Sequence, residues 1–129
     1  MKDGDKDNRV YFLHIRDSIQ RIEKYTTSGK TVFLQDEMIQ NAVVWNIGTI
    51  GEAVRNVSKS LRDIHPEIPW AKIAAMRNKV IHEYFKVNLD LVWQVVETEI
   101  PVLKTQIDAI IKELEGQSKA SDEHGGTDA

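Results

Sequence analysis

The sequence predicts an all-α fold, an antiparallel up-down bundle of four main helices in one domain. Apolar residues recur at steps of three and four along most of the chain, and no stretch alternates like a half-buried strand. The connections between the periodic stretches are short, which favours antiparallel neighbours. The 129 residues, 41% hydrophobic and 29% charged, suffice for one core but not for two ordinary domains. We expect this bundle at residues 9–115, a disordered N-terminus at 1–8 and a disordered C-terminal tail at 116–129.

Composition narrows the possible functions. The sequence contains no cysteine, which excludes disulfides, thiolate catalysis and cysteine-ligated metals. No apolar run approaches the roughly 20 residues that cross a bilayer, and residues 1–8 lack the apolar centre of a signal peptide. We therefore expect a cytoplasmic protein.

The first helix is expected to run from about Arg9 to Tyr25, with Asp7 or Asn8 as its N-terminal cap. Its buried stripe consists of apolar residues at steps of three and four, namely Phe12, Ile15, Ile19 and Ile22. The following TTSGK run predicts a turn in which Gly29 takes the left-handed conformation that ends many helices. Its Ser-Gly-Lys-Thr portion also resembles the end of a phosphate-binding loop, but the leading glycine of that motif is absent.

The second helix is expected to begin near Asp36, after a short turn at Thr31–Gln35, and to end at about Arg62. Its middle is apolar on most sides, which is typical of the central helix of a bundle. Gly48 and Gly51 lie in that middle, where each costs roughly 1 kcal/mol of helix stability relative to alanine. We therefore expect another backbone to pass close to these glycines.

The third helix is expected from Pro69 to about Phe85, because proline suits a first helical turn. Its apolar side consists of Ile73, Met76, Val80 and Ile81. We call residues 69–87 the motif segment, because this stretch carries the candidate site.

The last helix is expected from Leu89 to Glu115, with Asn88 as its cap. Apolar residues form a continuous seam along it, namely Leu89, Trp93, Val96, Ile100, Leu103, Ile107, Ile110 and Leu114. Pro101 should kink this helix, since its ring crowds the carbonyl of Glu97.

The net charge of −3 is unevenly distributed along the chain. Residues 55–86 contain seven lysines and arginines and three acidic residues, whereas residues 87–129 contain three lysines and nine acidic residues. The third helix thus lies in the one basic part of an acidic protein, where it could steer a polyanion. An ordinary solvated helix face would give the same pattern, so charge alone leaves both interpretations open.

Four residues of the third helix are candidate site residues, namely Arg77, Asn78, His82 and Tyr84. Arg77 offers a planar fork of donors that matches a phosphate, and His82 can take and give a proton near neutral pH. Together they meet the minimum for cleaving RNA without a metal: the imidazole deprotonates a ribose 2′-hydroxyl and the guanidinium neutralises the phosphorane. No histidine has the spacing of a di-metal or metalloprotease motif, so no metal site is expected.

The geometry of a straight helix complicates this interpretation. Arg77 and His82 would lie roughly 140° apart around an ideal helix, whereas Arg77 and Tyr84 would lie within about 20°. Either the helix frays near His82, or a second copy related by a twofold axis brings facing groups together, which predicts a homodimer around the motif helix. Asn78, four residues before His82, could orient the imidazole or a phosphate. Without further information, an Arg/His pair on one helix is more often structural than catalytic.

The run RNKVIHEY at Arg77–Tyr84 resembles the R-x4-H-x-Y motif of HepT-type toxins, which belong to the HEPN superfamily of helical ribonucleases. Three further stretches are similar to the family pattern in matching order, namely Ile50–Ala53, His65–Trp70 and Val92–Trp93. The resemblance covers about residues 8–115, nearly the whole expected bundle.

The resemblance implies a metal-independent endoribonuclease, the toxin of a type VII-like toxin–antitoxin pair, that forms dimers with a composite cleft. Arg77 and His82 would be catalytic and Asn78 supporting. Its partner would be an MntA-type nucleotidyltransferase antitoxin that transfers AMP from ATP to Tyr84, while this chain itself needs no cofactor. Two alternatives stay open: a non-catalytic HEPN module that binds a nucleotide or a partner, and a Tyr84 that only closes the helix.

Overall fold

The computed structural model describes the backbone of residues 2–82 and 86–127 and the side chains of residues 8–81 and 86–116. Within these residues the fold is all-α, as the sequence predicts. The helices in chain order are α1 (Lys2–Tyr25), α2 (Lys30–Gln35), α3 (Glu37–Asn56), α4 (Lys59–Ile64), α5 (Trp70–Ala74), α6 (Met76–Val80), α7 (Leu89–Gln94), a π-helical turn (Val95–Glu99) and α8 (Ile100–Thr127). A small antiparallel hairpin of β1 (Ile81–His82) and β2 (Lys86–Val87) separates α6 from α7.

Helix α1 begins at Lys2, earlier than the expected Arg9. Asn8 is therefore not an N-terminal cap but a buried residue inside the helix, only 1% exposed. Its side chain donates a hydrogen bond to Ser58 Oγ and accepts one from the Ser58 N–H, both at 2.9 Å. A polar side chain that is buried needs such partners, so Asn8 ties α1 to the start of α4.

Helix α3 begins where the sequence predicts. Asp36 is its N-terminal cap, and its carboxylate accepts a hydrogen bond from the Ile39 N–H at 3.2 Å. Gly29 takes the expected left-handed conformation, with φ of 92°. The expected turn at Thr31–Gln35 is wrong, because Lys30–Gln35 forms the short helix α2 around the buried Phe33.

The predicted end of the second helix at Arg62 is also wrong. Helix α3 ends at Asn56, because Val57 is extended with φ of −65° and ψ of 136°. Ser58 then caps the separate helix α4 by accepting a hydrogen bond from the Leu61 N–H. The sequence signal for this break was the serine itself, a preferred capping residue.

The last helical stretch begins at the predicted cap, where Asn88 accepts a hydrogen bond from the Leu91 N–H at 3.1 Å. The expected kink at Pro101 takes the form of a widened turn, since Val95–Glu99 is π-helical immediately before α8. A wider turn relieves the clash between a proline ring and the preceding carbonyls. Helix α8 then continues past Glu115 to Thr127, so helical backbone extends into the segment for which a tail is expected.

Helices α1, α3 and α8 form the scaffold of the molecule. Helix α1 packs against both α3 and α8, while α5 and α6 pack on α3. The largest fully buried side chains are apolar and come mainly from these three long helices: Phe12, Phe33, Ile15, Ile19, Ile22, Ile47, Ile50, Ile107, Val43, Val54, Val57 and Val80. Within the described residues, none of the helices combines the length and the apolar content needed to cross a membrane.

The predicted continuous helix from Pro69 to Phe85 is wrong. It is replaced by two helices of five residues, α5 and α6, and by the hairpin. Among the residues that the structure describes, the long helices are α1, α3 and α8, and the stretch expected to form the third helix of the bundle is divided into shorter elements. Ile81, a β-branched residue, is extended with φ of −107° and ψ of 116°, and the Asn88 N–H donates to the Val80 carbonyl at 2.8 Å. These contacts end α6 at Val80.

Candidate active site

The motif segment is interrupted at Ala75, which has φ of −93° and ψ of 0° and separates α5 from α6. Beside this break, the carbonyl of Ala74 accepts a hydrogen bond from the Arg55 guanidinium at 3.0 Å. Arg55 lies on α3. A side chain of α3 therefore holds the backbone of the motif segment next to the break between α5 and α6. The bond has a charged donor, a kind about twice as strong as a neutral hydrogen bond.

Gly51 confirms the predicted close approach of another backbone. A Cβ atom at this position would lie 3.0 Å from the carbonyl oxygen of Ala74, tighter than ordinary van der Waals contact. At Gly48 the neighbour is a side chain instead: a Cβ atom there would lie 3.1 Å from Cδ of Arg77. The two glycines therefore allow the motif segment and the stem of Arg77 to lie directly on α3.

Arg77 lies on α6 with an exposed side chain, at the edge of an open groove of about 390 Å³ between α1 and α3. Residues from three elements line the groove: Tyr11, His14, Trp45, Gly48, Thr49, Glu52, Ala53, Asn56 and Arg77. Its walls are mostly apolar and its mouth is open to solvent. We call it the Trp45 groove. A fork of donors beside such a groove is suited to an anionic ligand with an apolar or aromatic part.

Residues 55–86, the basic part of the chain, are called the basic segment here, and two other cations of this segment have a structural partner. Lys72 and Lys79 both contact Glu99 Oε1, at 3.1 and 3.2 Å, and so join α5 and α6 to the π-helical turn. Partial burial alone would raise the pKa of Glu99, but the hydrogen bonds and charges of the two lysines outweigh it and lower that pKa below its ordinary value of 4.5. Among the described side chains, no acidic partner is found for Arg77. The basic segment thus combines cations fixed by the fold with an arginine that is open to a ligand.

The break of the helix changes the expected geometry of the motif. The angle of roughly 140° between Arg77 and His82 holds for a continuous helix, but the backbone is extended at Ile81 and His82, which form β1. The backbone therefore follows the first of the two possibilities, a helix that ends before His82. Asn78 is exposed beside Arg77 on α6, and its expected four-residue relation to His82 is lost with the helix.

Two of the candidate residues fall partly or wholly outside the described residues. The backbone of His82 belongs to β1, opposite Lys86, but its side chain lies outside the described part. Tyr84 lies outside it entirely. Their roles remain predictions from the sequence.

The aromatic residues of the Trp45 groove are not among the candidate site residues that the sequence predicts. Trp45 was a readable signal, because it lies on the side of α3 that carries Thr49, Glu52 and Asn56, and not on the apolar stripe. Tyr11 and His14 could not be assigned to the same site, since only the packing of α1 on α3 brings them there. Within the described residues, no group of three or more histidines and carboxylates has the arrangement of a metal site.

The fold and the groove define a class: a small helical domain in which a broken motif helix presents one arginine beside an aromatic groove. The chain belongs to the HepT-like family, since the family model described as "Ribonuclease HepT-like" matches residues 15–110. The resemblance to HepT-type proteins of the HEPN superfamily is thereby confirmed.

Several curated proteins are similar to this chain. "Probable ribonuclease HepT" of Thermococcus cleftensis is 38% identical over 113 residues, which cover 87% of this chain and 100% of the relative. "Putative RNase MJ0127" of Methanocaldococcus jannaschii is 33% identical over 117 residues, 90% of this chain and 97% of the relative. "Gamma-glutamylcyclotransferase and putative RNase MJ0434" of the same organism is 42% identical over 112 residues, but these are 85% of this chain and only 50% of that relative. No solved structure matches the chain.

Proposed function

We propose that this protein is a toxin ribonuclease of a type VII-like toxin–antitoxin pair, an endoribonuclease that cleaves RNA without a metal. Membership of the HepT-like family and the ribonuclease names of its relatives support this proposal. The observation that carries it is the exposed side chain of Arg77, whose stem lies on Gly48 at the edge of a groove, five residues before the motif histidine. We expect the protein to act in the cytoplasm.

In the proposed reaction His82 takes the proton of a ribose 2′-hydroxyl, and the 2′-oxygen attacks the adjacent phosphorus. The bond from phosphorus to the 5′-oxygen breaks, an imidazolium returns a proton to that oxygen, and a 2′,3′-cyclic phosphate remains. Arg77 neutralises the charge that builds on the non-bridging oxygens, and Asn78 supports the bound phosphate. The reaction needs RNA, because DNA lacks the attacking hydroxyl.

We further propose that the active form is a homodimer in which two motif segments face one another across a twofold axis. The exposed position of Arg77 supports this arrangement, because a cleft between two copies would place two guanidinium groups and two imidazoles around one phosphodiester. A measurement of molar mass in solution by light scattering tests it, and a strictly monomeric active enzyme would contradict it.

An MntA-type nucleotidyltransferase antitoxin is the proposed regulator. The Tyr84 hydroxyl would attack the α-phosphorus of ATP, so that AMP is attached to the tyrosine and pyrophosphate leaves; ATP is used by the antitoxin and not by this chain. The added phosphate would lie two residues from His82 and occupy the donors that otherwise bind RNA. Co-expression with the antitoxin should add about 329 Da per AMP, and Tyr84→Phe should remain unmodified. An adduct on another residue would overturn this assignment.

Cleavage of RNA in EDTA by the purified protein tests the proposed activity. Arg77→Ala and His82→Ala should each lower the rate by about 100-fold or more while the helical circular dichroism is retained. Lys112→Ala, at an exposed cation of α8 outside the motif segment, is the control and should retain activity. Unchanged cleavage by both motif variants would remove the proposed site. Saturable binding of a nucleotide without any turnover would favour the non-catalytic binding module.

A further inference from the structure

Trp45 is the one tryptophan whose position the fold does not explain. Trp70 is buried and its indole N–H donates to the carbonyls of Arg62 and His65. Trp93 packs on Phe33 with ring centroids 5.4 Å apart, and its N–H donates to a carboxylate. Trp45, by contrast, is 75% exposed. A single exposed aromatic residue does not by itself mark a binding site, so its neighbours decide what Trp45 can bind.

The position of Trp45 places it in one opening with Arg77. Trp45 and Gly48 lie one turn apart on α3, so they are neighbours on its surface. Because Gly48 has no side chain, the stem of Arg77 crosses α3 at that point, with Cδ only 3.1 Å from where a Cβ would be. The indole and the guanidinium therefore border the same groove.

The opposite wall of the Trp45 groove is also aromatic. Tyr11 and His14 lie three residues apart on α1, on one side of that helix, and both line the groove. The groove volume of about 390 Å³ is at the small end of the range of small-molecule sites, roughly 300–1,000 Å³. Such a space suits a single flat ring system and not a duplex or a partner helix.

The charges around the groove favour a nucleic acid over a second protein surface. Arg77 has no acidic partner among the described side chains, whereas the carboxylate of Glu52, which also lines the groove, is paired with Arg55 at 3.5 Å. The residues that follow Trp45 on its side of α3 are polar, Thr49 and Asn56 among them, so this side lacks the continuous apolar patch of a stable protein interface. Aromatic walls beside a cation are the usual means of holding single-stranded nucleic acid.

We propose that the Trp45 groove binds one unpaired nucleobase of the RNA, stacked on the indole of Trp45, next to the phosphate held by Arg77. This inference rests on the proposed ribonuclease activity and adds a subsite to it: a groove in which one unpaired base stacks beside the bound phosphate. A base inside a duplex is stacked on its neighbours and is not available to the indole. The groove therefore selects RNA that is unpaired at the cleavage position. Stacking on Trp45 accepts any of the bases, because it does not depend on hydrogen bonds that distinguish them.

The test separates binding from cleavage with a short single-stranded RNA in which every ribose is 2′-O-methylated, so that no attacking hydroxyl is present. Binding is followed by fluorescence anisotropy of the labelled RNA and by quenching of tryptophan fluorescence. Trp45→Ala should weaken binding roughly 10-fold to 100-fold. Trp45→Phe should keep most of the affinity but lose most of the quenching, since the other two tryptophans do not border the groove.

Met38→Ala is the matched control, because Met38 is an exposed apolar residue of the same helix, 81% exposed, outside the groove. It should bind like the unaltered protein, and a fully paired duplex of the same sequence should bind more weakly than the single strand. Equal affinity of Trp45→Ala and the unaltered protein would overturn the inference. So would a Trp45→Ala variant that loses RNA only because it dissociates into monomers, measured by light scattering. Binding that depends on Trp45 without any cleavage of ordinary RNA would instead contradict the ribonuclease activity and leave the groove as a nucleic-acid site.

Discussion

The scaffold and the motif segment of this protein are held in different ways. The scaffold helices α1, α3 and α8 are long, and their contacts are made by apolar side chains that are almost completely buried. The motif segment consists of two helices of five residues and a short hairpin, and it buries only the few apolar side chains that such short elements offer, Trp70, Ile73, Met76 and Val80. Polar contacts hold it as well: Arg55 to Ala74, and Lys72 and Lys79 to Glu99. The scaffold therefore depends mainly on apolar burial, whereas the position of the candidate site depends on a smaller buried area together with a few directed polar contacts.

This difference predicts that substitutions in the scaffold act on stability and that substitutions around the motif segment act on activity. The largest effect on stability is expected from Phe12→Ala. Phe12 has no exposed surface and its ring contacts Trp70 edge-on, with centroids 6.2 Å apart. Its removal should lower the free energy of unfolding by about 3–5 kcal/mol. Urea denaturation measures this, and Met38→Ala, exposed on α3, should change stability by less than about 0.5 kcal/mol.

Gly51→Ala should give the next largest effect, where scaffold and motif segment touch. The new methyl group would meet the carbonyl oxygen of Ala74 at 3.0 Å, and a backbone atom can move only if α5 moves with it. The strain of about 1–3 kcal/mol is reduced by the better helix propensity of alanine, about 1 kcal/mol. We expect a net loss of up to about 2 kcal/mol in thermal or urea unfolding, together with a loss of RNA cleavage. A variant that is more stable than the unaltered protein would contradict the close approach.

Glu99→Gln tests the polar attachment of the motif segment. The pKa of Glu99 is lowered in the folded protein, so its ionised form stabilises the fold above the ordinary value of 4.5, and this contribution is lost as the pH falls below that value. The pair with Lys72 and Lys79 is partly exposed, so its loss should cost only about 1 kcal/mol. Unfolding measured between pH 7 and pH 3 should show a smaller loss of stability in the variant than in the unaltered protein. Equal losses would show that Glu99 does not contribute.

Gly48→Ala should have the smallest effect on stability and the clearest separation of stability from activity. The new methyl group would meet only Cδ of Arg77, which lies in a flexible side chain and can move away. Helix propensity should then raise the free energy of unfolding by up to about 1 kcal/mol. Displacement of the guanidinium should lower RNA cleavage about 10-fold, since a misplaced group loses much of its effect in a transition state. Full activity in this variant would show that Gly48 does not position Arg77.

Much of the fold could be predicted from the sequence, because its signals are local. The caps Asp36 and Asn88 and the left-handed Gly29 were readable from residue type alone. The stripe of the first helix and the seam of the last could be read from periodicity, and most of these residues are buried. Gly51 was readable as a site of close approach, since a glycine in a helix has a cost that packing must offset.

The candidate site was only partly predictable. The motif residues Arg77, Asn78, His82 and Tyr84 could be found from their types and order, but their arrangement depended on where the helix ends. Helix propensity favours a continuous helix through the motif segment. Contacts between distant parts of the chain outweigh this preference, among them the hydrogen bond from Arg55 to the Ala74 carbonyl, 19 residues away.

The sequence by itself determined the all-α class, the long helices of the scaffold and the motif, since periodicity reports which side of each segment is buried. Only the tertiary structure decided the break at Ala75, the end of α6 before His82 and the groove that joins Trp45 to Arg77. The physical reason is the distance along the sequence between the residues that interact. A hydrophobic pattern is a property of neighbouring residues, whereas a groove exists only after helices from separate parts of the chain have packed together.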